Sequence, residues 1–374
     1  MTERFILALT NGFVLLLALL IQIIMPKTTR KNILFGVKVP ENTMYDEDAV
    51  LLGRKFIKNN LLIGIPTLLI LSFSLYRFPN PIFSVIIVFI YLGILFLIYL
   101  KFNSKTKELK MVKGWDENGQ KVVVVDMKYS RDKSKLGIIS PLWFLIPLVL
   151  VLFNFILGIT LYPTLPDRIP THWNFQGEIT TYSNKSYEVV LMLPMVQLLM
   201  LGILYFSHWS IGRTKQQINP NNPKDSLKKN IIFRKAWSIY LFIITLLIIL
   251  LFTSLNLLSY GIFFKTIKVV NILSWIILGF SIIGAIILSV KIGQGGERLK
   301  LKDNEELEGI YARDDDYLWK LGNTIYYNPE DSSIFVEKRY GVGWTVNVGR
   351  PLGMLFMILP FIIVIVILII VARL

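Results

Sequence analysis

Residues 82–100 read Ile82-Phe-Ser-Val-Ile-Ile-Val-Phe-Ile-Tyr-Leu-Gly-Ile-Leu-Phe-Leu-Ile-Tyr-Leu100, without one charged side chain. A helix crossing about 30 Å of hydrocarbon needs roughly 20 apolar residues, so this stretch alone points to lipid. Immediately before it, Pro79-Asn80-Pro81 breaks helix continuity, because proline lacks a backbone donor and suits a helix start. Upstream, Leu61–Tyr76 is apolar again, and the two runs predict a helical hairpin turning at a membrane face.

Six further stretches have the same character: 5–25, 141–161, 187–206, 236–258, 269–290 and 351–371. The expectation is an α-helical integral membrane protein with about eight transmembrane helices and a small β-rich insertion before the last one. The first run is longer than a signal-peptide core and no small-residue cleavage pattern follows Met25, so it reads as a retained helix. Composition agrees: of 374 residues 54% are hydrophobic and 17% charged, against roughly 25% charged in soluble domains. A soluble globular enzyme is thereby nearly excluded. With no cysteine, disulfide frameworks, thiolate nucleophiles and Cys-ligated metals are excluded as well.

The net charge of +15 is distributed unevenly. Loops 26–60, 101–140, 207–235 and 291–350 hold seven, ten, seven and nine Lys or Arg, whereas the three intervening loops hold five together. The positive-inside rule places the four basic loops in the cytoplasm and both termini outside, in a multi-pass protein of the bacterial plasma membrane. The lysines of 101–140 then face an anionic leaflet, and nucleic acid is not an expected partner. The expected organisation is an N-terminal membrane region 1–140, a two-helix unit 141–210 with an outer loop 162–186, helices six and seven in 211–290, a cytoplasmic β-rich domain 291–350 and a last helix 351–374.

Within the spans the polar residues are amides, Gln22, Asn154, Gln197 and Asn256, with Glu188 near an outer end. Amides suit hydrogen bonds between helices, and the lack of buried carboxylates disfavours an ion-coupled transporter. In the outer loop Pro163, Pro166 and Pro170 impose extended backbone, and Asn174 and Gly177 suit turns. The loop is expected to be rigid and to gather His172, Trp173, Asn174, Phe175, Gln176 and Tyr182 at the outer surface. His172 admits three roles: bracing the turn with Asn174, recognising an external peptide or lipid, or acting as ligand or catalyst. The last is weakest, because a zinc site needs three or four convergent ligands and the second histidine, His208, falls at the inner end of the next span. No catalytic residues, metal or cofactor are expected.

In the basic loops, Asn118-Gly119 before Val122–Val125 is a hairpin signal. Gly293, Gly295 and Gly296 lack the Lys-Ser/Thr end of a phosphate-binding loop. Asp314-Asp315-Asp316 reads as a solvated turn in preference to a cation site. Residues 324–328, 329–332 and 333–338 read as strand, turn and strand, with a third strand in 339–347.

Leu165-Pro166, Ile169-Pro170, His172-Trp173-Asn174 and Gly177 together resemble the signature of a bacterial membrane domain of unknown function. That domain is similar to the one in the SdpI-like family, whose namesake confers immunity to a secreted toxic peptide; the likeness covers roughly residues 143–204. Phe35-Gly36-Val37-Lys38-Val39-Pro40 resembles an element of related membrane proteins, and residues 319–347 resemble a short C-terminal domain, also of unknown function, appended to that family. The resemblance implies a non-enzymatic protein that recognises, signals or confers immunity to a membrane-active peptide, with His172, Trp173, Asn174 and Gly177 as candidate recognition residues. Its partners are then the lipid bilayer, a secreted antimicrobial peptide, and a membrane or cytoplasmic protein. The alternative is a permease-like or accessory transporter subunit working with a separate ATPase.

Overall fold

The computed structural model describes residues 3–115, 120–122, 137–174, 178–219, 222–262, 267–300, 310–312 and 315–373. Helices dominate: α1 (Glu3–Thr28), α2 (Glu47–Arg77), α3 (Pro81–Val112), α4 (Leu145–Leu161), α5 (Tyr187–Arg213), α6 (Pro223–Ser259), α7 (Lys268–Ile292) and α8 (Pro351–Arg373). Among the described residues, seven helical segments are long and apolar enough to cross a membrane. Their outward positions are apolar, for example Leu62, Leu69, Ile70 and Phe73 on α2, the inverse of a water-soluble surface.

Several helices overrun the apolar stretches. α2 begins at Glu47, fourteen residues before Leu61, because Asp46 caps it by accepting from the Asp48 amide at 2.9 Å and acidic residues fill the first turn. The Pro79-Asn80-Pro81 break acts as the sequence suggests. Asn80 accepts from the Ile82 and Phe83 amides at 2.8 and 3.2 Å, and Pro81 occupies the first helical turn.

The strands are short and form two-stranded pairs: β1 (Ile33–Leu34) with β2 (Val37–Lys38), β3 (Gln120–Val122) with β6 (Ile310–Ala312), β4 (Arg168–Trp173) with β5 (Ile179–Asn184), β7 (Trp319–Lys320) with β8 (Ile325–Tyr326), and β9 (Phe335–Glu337) with β10 (Trp344–Val346). Two differ from the sequence reading. The Asn118-Gly119 turn lies outside the described residues, and 120–122 pair in parallel with the remote 310–312. Near the C-terminus the segments around 325 and 335 do not form one hairpin. Each belongs to a different pair, because the Asn347 side chain holds residues 328–333 as a rigid loop.

The chain divides into two compact units, one of Met1–Val125, Thr214–Asn230 and Ile292–Leu374, the other of Asp126–Arg213 and Ile231–Lys291. In the first, α1 and α3 run parallel at a constant offset: Asn11 bonds Ser84, and three turns on Gln22 donates to the Leu95 carbonyl. α2 packs against both, and its core includes Leu15, Leu19, Phe56, Tyr91 and Phe102. In the second, Val151, Leu201 and Ile249 form a core between α4, α5 and α6.

Candidate functional site

The outer segment of the second unit is a β-hairpin. Pro170 sits within β4, opposite Tyr182, and register shifts flank His172. A proline and a bulge are tolerated where a strand lies at a sheet edge, which is how Pro170 obscured the strand in the sequence. Leu165 and Ile169 are buried against Val190 and Tyr260, and Trp173 packs on Leu258, Ile267 and Val270. Ser259 donates to the Pro170 carbonyl at 2.9 Å, and the Lys185 ammonium donates to the Leu165 carbonyl at 2.8 Å. The Leu-Pro and Ile-Pro pairs of the signature therefore contribute the anchors of the hairpin.

The four sequence-predicted residues divide by role. Asn174 braces the turn: its Oδ1 accepts from the Glu178 amide and its Nδ2 donates to the Glu178 carboxylate, both at 2.8 Å. Trp173 is an anchor. His172 is exposed, and among the described residues its imidazole has one neighbour at hydrogen-bonding distance, Thr171 Oγ1 at 3.3 Å. Gly177, with Phe175 and Gln176, lies outside the described residues. β5 is exposed along nearly its whole length, with Ile179 and Tyr182 displayed. Among the described residues its outer edge pairs with no further strand, and no group of three or more His, Asp or Glu side chains converges.

Below the hairpin, Asn154 of α4 donates to Gln197 Oε1 at 3.1 Å and to Thr253 Oγ1 at 2.8 Å. Gln197 of α5 donates to the Ile249 carbonyl of α6 at 3.1 Å. Both amides are fully buried, and they act as the interhelical fastening that their chemistry suggests. Gln22 does the same in the first unit.

The first unit holds a feature that sequence reasoning missed. Arg30 donates from Nε and Nη2 to Glu337 at 3.1 and 2.6 Å and from Nη1 to Glu297 at 2.9 Å, while Asn230 and Gln294 also donate to Glu337. Glu337 is 1% exposed; a carboxylate so buried requires this set of donors. In a second group, Asp315 and Asp316 receive Arg339, Lys38 and Lys110, with Lys110 at 2.9 Å from Asp316. The aspartates expected as a solvated turn are thus ion-paired at Asp315 and Asp316, while Asp314 lies outside the described residues. Four cations and four carboxylates meet in these groups, drawn with Asn230 from all four basic loops.

The Phe35-Gly36 element supplies one side of this junction. Phe35 and Gly36 both have positive φ, 44° and 83°, and form the two-residue turn between β1 and β2, as right-handed strand twist favours. Phe35 packs against both Phe56 and Phe102, at ring separations of 4.8 and 5.7 Å, in a three-ring cluster. Its carbonyl accepts from Asn103 at 2.8 Å, and the Lys38 amide donates to Asp316 at 3.2 Å. The motif is built to present its backbone and its lysine to the C-terminal strands. The signal for the junction was the pair of short resemblances in residues 35–40 and 319–347, which sequence left unconnected.

Residues 149–198 match the model of a domain of unknown function, DUF1648, and residues 329–354 match that of a family of unknown function, DUF5808. No curated protein and no solved structure matches the chain. The first match contains Asn154, Gln197 and the hairpin; the second contains Glu337, Arg339 and Asn347.

Proposed function

We propose that the chain is an eight-span protein of the bacterial plasma membrane, with α8 as the last span, that uses the 168–184 hairpin to recognise a membrane-active peptide, in the manner of the SdpI-like family. On this reading the organisation is the five-segment one laid out from the sequence, with 141–210 as the recognition unit and 291–350 as a cytoplasmic domain. The observation that carries the reading is the division of the hairpin: Leu165, Ile169 and Trp173 anchor it, Asn174 locks its turn, and β5 offers an exposed face and, among the described residues, an unpaired edge. An extended peptide can add to such an edge through backbone hydrogen bonds, with neighbouring side chains giving selectivity. His172 and Tyr182 are the displayed side chains, and Gly177 remains a candidate recognition residue on the strength of the resemblance. Recognition leads to immunity or to a signal passed to a membrane or cytoplasmic partner.

The charge junction supports the orientation. Arg30, Lys110, Asn230 and Glu337 come from the four loops read as cytoplasmic, and their meeting in one unit fits loops on one side of a membrane. A cysteine-free chain allows a direct test of sidedness: Cys at Tyr182 should react with a membrane-impermeant maleimide in intact cells, and Cys at Lys320 only after permeabilisation.

Function is tested by deleting the gene and challenging cells with a panel of membrane-active peptides. Sensitisation is expected, rescued by the wild-type chain and not by a His172→Ala, Tyr182→Ala double variant that inserts normally. Unchanged survival across the panel refutes the reading.

A further inference from the structure

A groove of about 420 Å³ in the first unit lies along the parallel seam of α1 and α3, a size in the range of small-ligand sites. Its walls are Ala18, Ile21 and Met25 of α1 and Leu92, Leu95 and Phe96 of α3, and its end is closed by Lys338, Arg339 and Tyr340. Apolar side chains such as Leu20 and Leu97 continue the helix surfaces outward, so the walls belong to a face of lipid-compatible chemistry. The Ala18–Met25 wall spans seven steps of about 1.5 Å, roughly 10 Å along the helix axis.

The polar end is chemically incomplete. Arg339 is engaged by Asp315 and Asp316 and lies over the Trp319 ring at 5.3 Å. Lys338, next to it, is exposed, lines the groove and has no carboxylate partner among the described residues. The Tyr340 ring packs on Tyr99 at 4.0 Å, and its buried hydroxyl has no hydrogen-bond partner. A cation without a counter-charge at the end of an apolar groove calls for an anionic oxygen attached to an apolar chain.

We propose that the groove holds an acyl chain of an anionic phospholipid from the surrounding bilayer, with the phosphate received by the Lys338 ammonium. The groove ends beside the basic loops, which the charge pattern assigns to the cytoplasmic leaflet, where anionic lipids attract cations. The lipid would sit under the β9–β10 turn, whose Lys338 amide donates to Gly343 and whose Gly343 amide donates to Gln294.

The test is native mass spectrometry of the full-length protein in mild detergent, titrated with phosphatidylglycerol or with phosphatidylcholine. One phosphatidylglycerol should be retained at least tenfold more strongly than phosphatidylcholine. Lys338→Glu should lower retention at least tenfold and Lys338→Arg should preserve it. Ala18→Phe, which fills the groove without touching its charge, should lower retention as well. Equal retention of the two lipids, no effect of Lys338→Glu or of Ala18→Phe, or displacement by millimolar inorganic phosphate would each overturn the proposal. If Lys338→Glu changes the thermal unfolding profile, Lys338→Gln against Lys338→Arg gives the same comparison.

Discussion

Replacing Asn347 with Ala should release the 328–333 loop while leaving the helices in place. The Asn347 side chain is fully buried. Its Nδ2 donates to the carbonyls of Asn328, Asp331 and Ser333 at 2.8, 3.2 and 3.1 Å, and its Oδ1 accepts from the Asn328 and Gly349 amides at 2.9 and 3.0 Å. The carbonyls retain other lone pairs, so the dominant cost is the two amides left without acceptors, at about 1–3 kcal/mol each. A total near 3 kcal/mol corresponds to roughly a hundredfold larger open population, since about 1.4 kcal/mol is tenfold. Hydrogen exchange read on peptides covering Asn328 and Gly349 should accelerate by about that factor, with the 168–184 hairpin unchanged as the internal control. Asn347→Asp should be worse at neutral pH, because a carboxylate oxygen then faces three carbonyl oxygens. Less than a threefold change in Asn347→Ala would refute the idea that one amide organises the loop.

Glu337→Gln should cost less than the about 3–5 kcal/mol of a fully unpaired buried charge, because Arg30 keeps Glu297, while the new amide meets the Asn230 and Gln294 donors; the readout is a lower thermal midpoint, and pairing it with Arg30→Met should recover part of the loss. Gly36→Ala should destabilise by at least about 1 kcal/mol: φ is +83° and the new Cβ would collide with the Tyr99 hydroxyl. At Asp331, burial alone would raise the carboxyl, but the Lys215 ammonium at 2.7 Å and the Ser333 amide outweigh it and hold it below the usual carboxylate range. A depressed folded-state value means stability present above the unfolded value, about 3.9, and lost as pH falls through the folded one. Protection of the Ser333 amide, corrected for intrinsic exchange, should therefore decline below about pH 4, and Asp331→Asn should flatten that decline.

The helical content of this protein was legible because crossing a bilayer is a local demand. Length, apolarity and the absence of charge in a stretch such as Ile82–Leu100 suffice, and Asn80-Pro81 announces its own helix start. The expected orientation is also read locally, from where the Lys and Arg fall. The hairpin was half legible: the prolines and Asn174 gave a rigid turn, but the pairing of Arg168–Trp173 with Ile179–Asn184 depends on anchors contributed by Leu258 and Tyr260 far along the chain.

The roles of charged and polar side chains were decided only in three dimensions. Asp315 and Asp316 look alike in sequence whether they face water or Arg339, and nothing near Arg30 in the chain reveals Glu337, 307 residues away. The same limit applies to Lys338 and Tyr340, whose neighbours on the chain give no sign that they close a groove. Hydrophobicity is a property that a residue carries with it, so composition and order alone determined the membrane class and the predicted sidedness. Partnership is a property of position: whether a buried charge is stable depends on which donors the fold brings within 3 Å, and that only the tertiary structure decided.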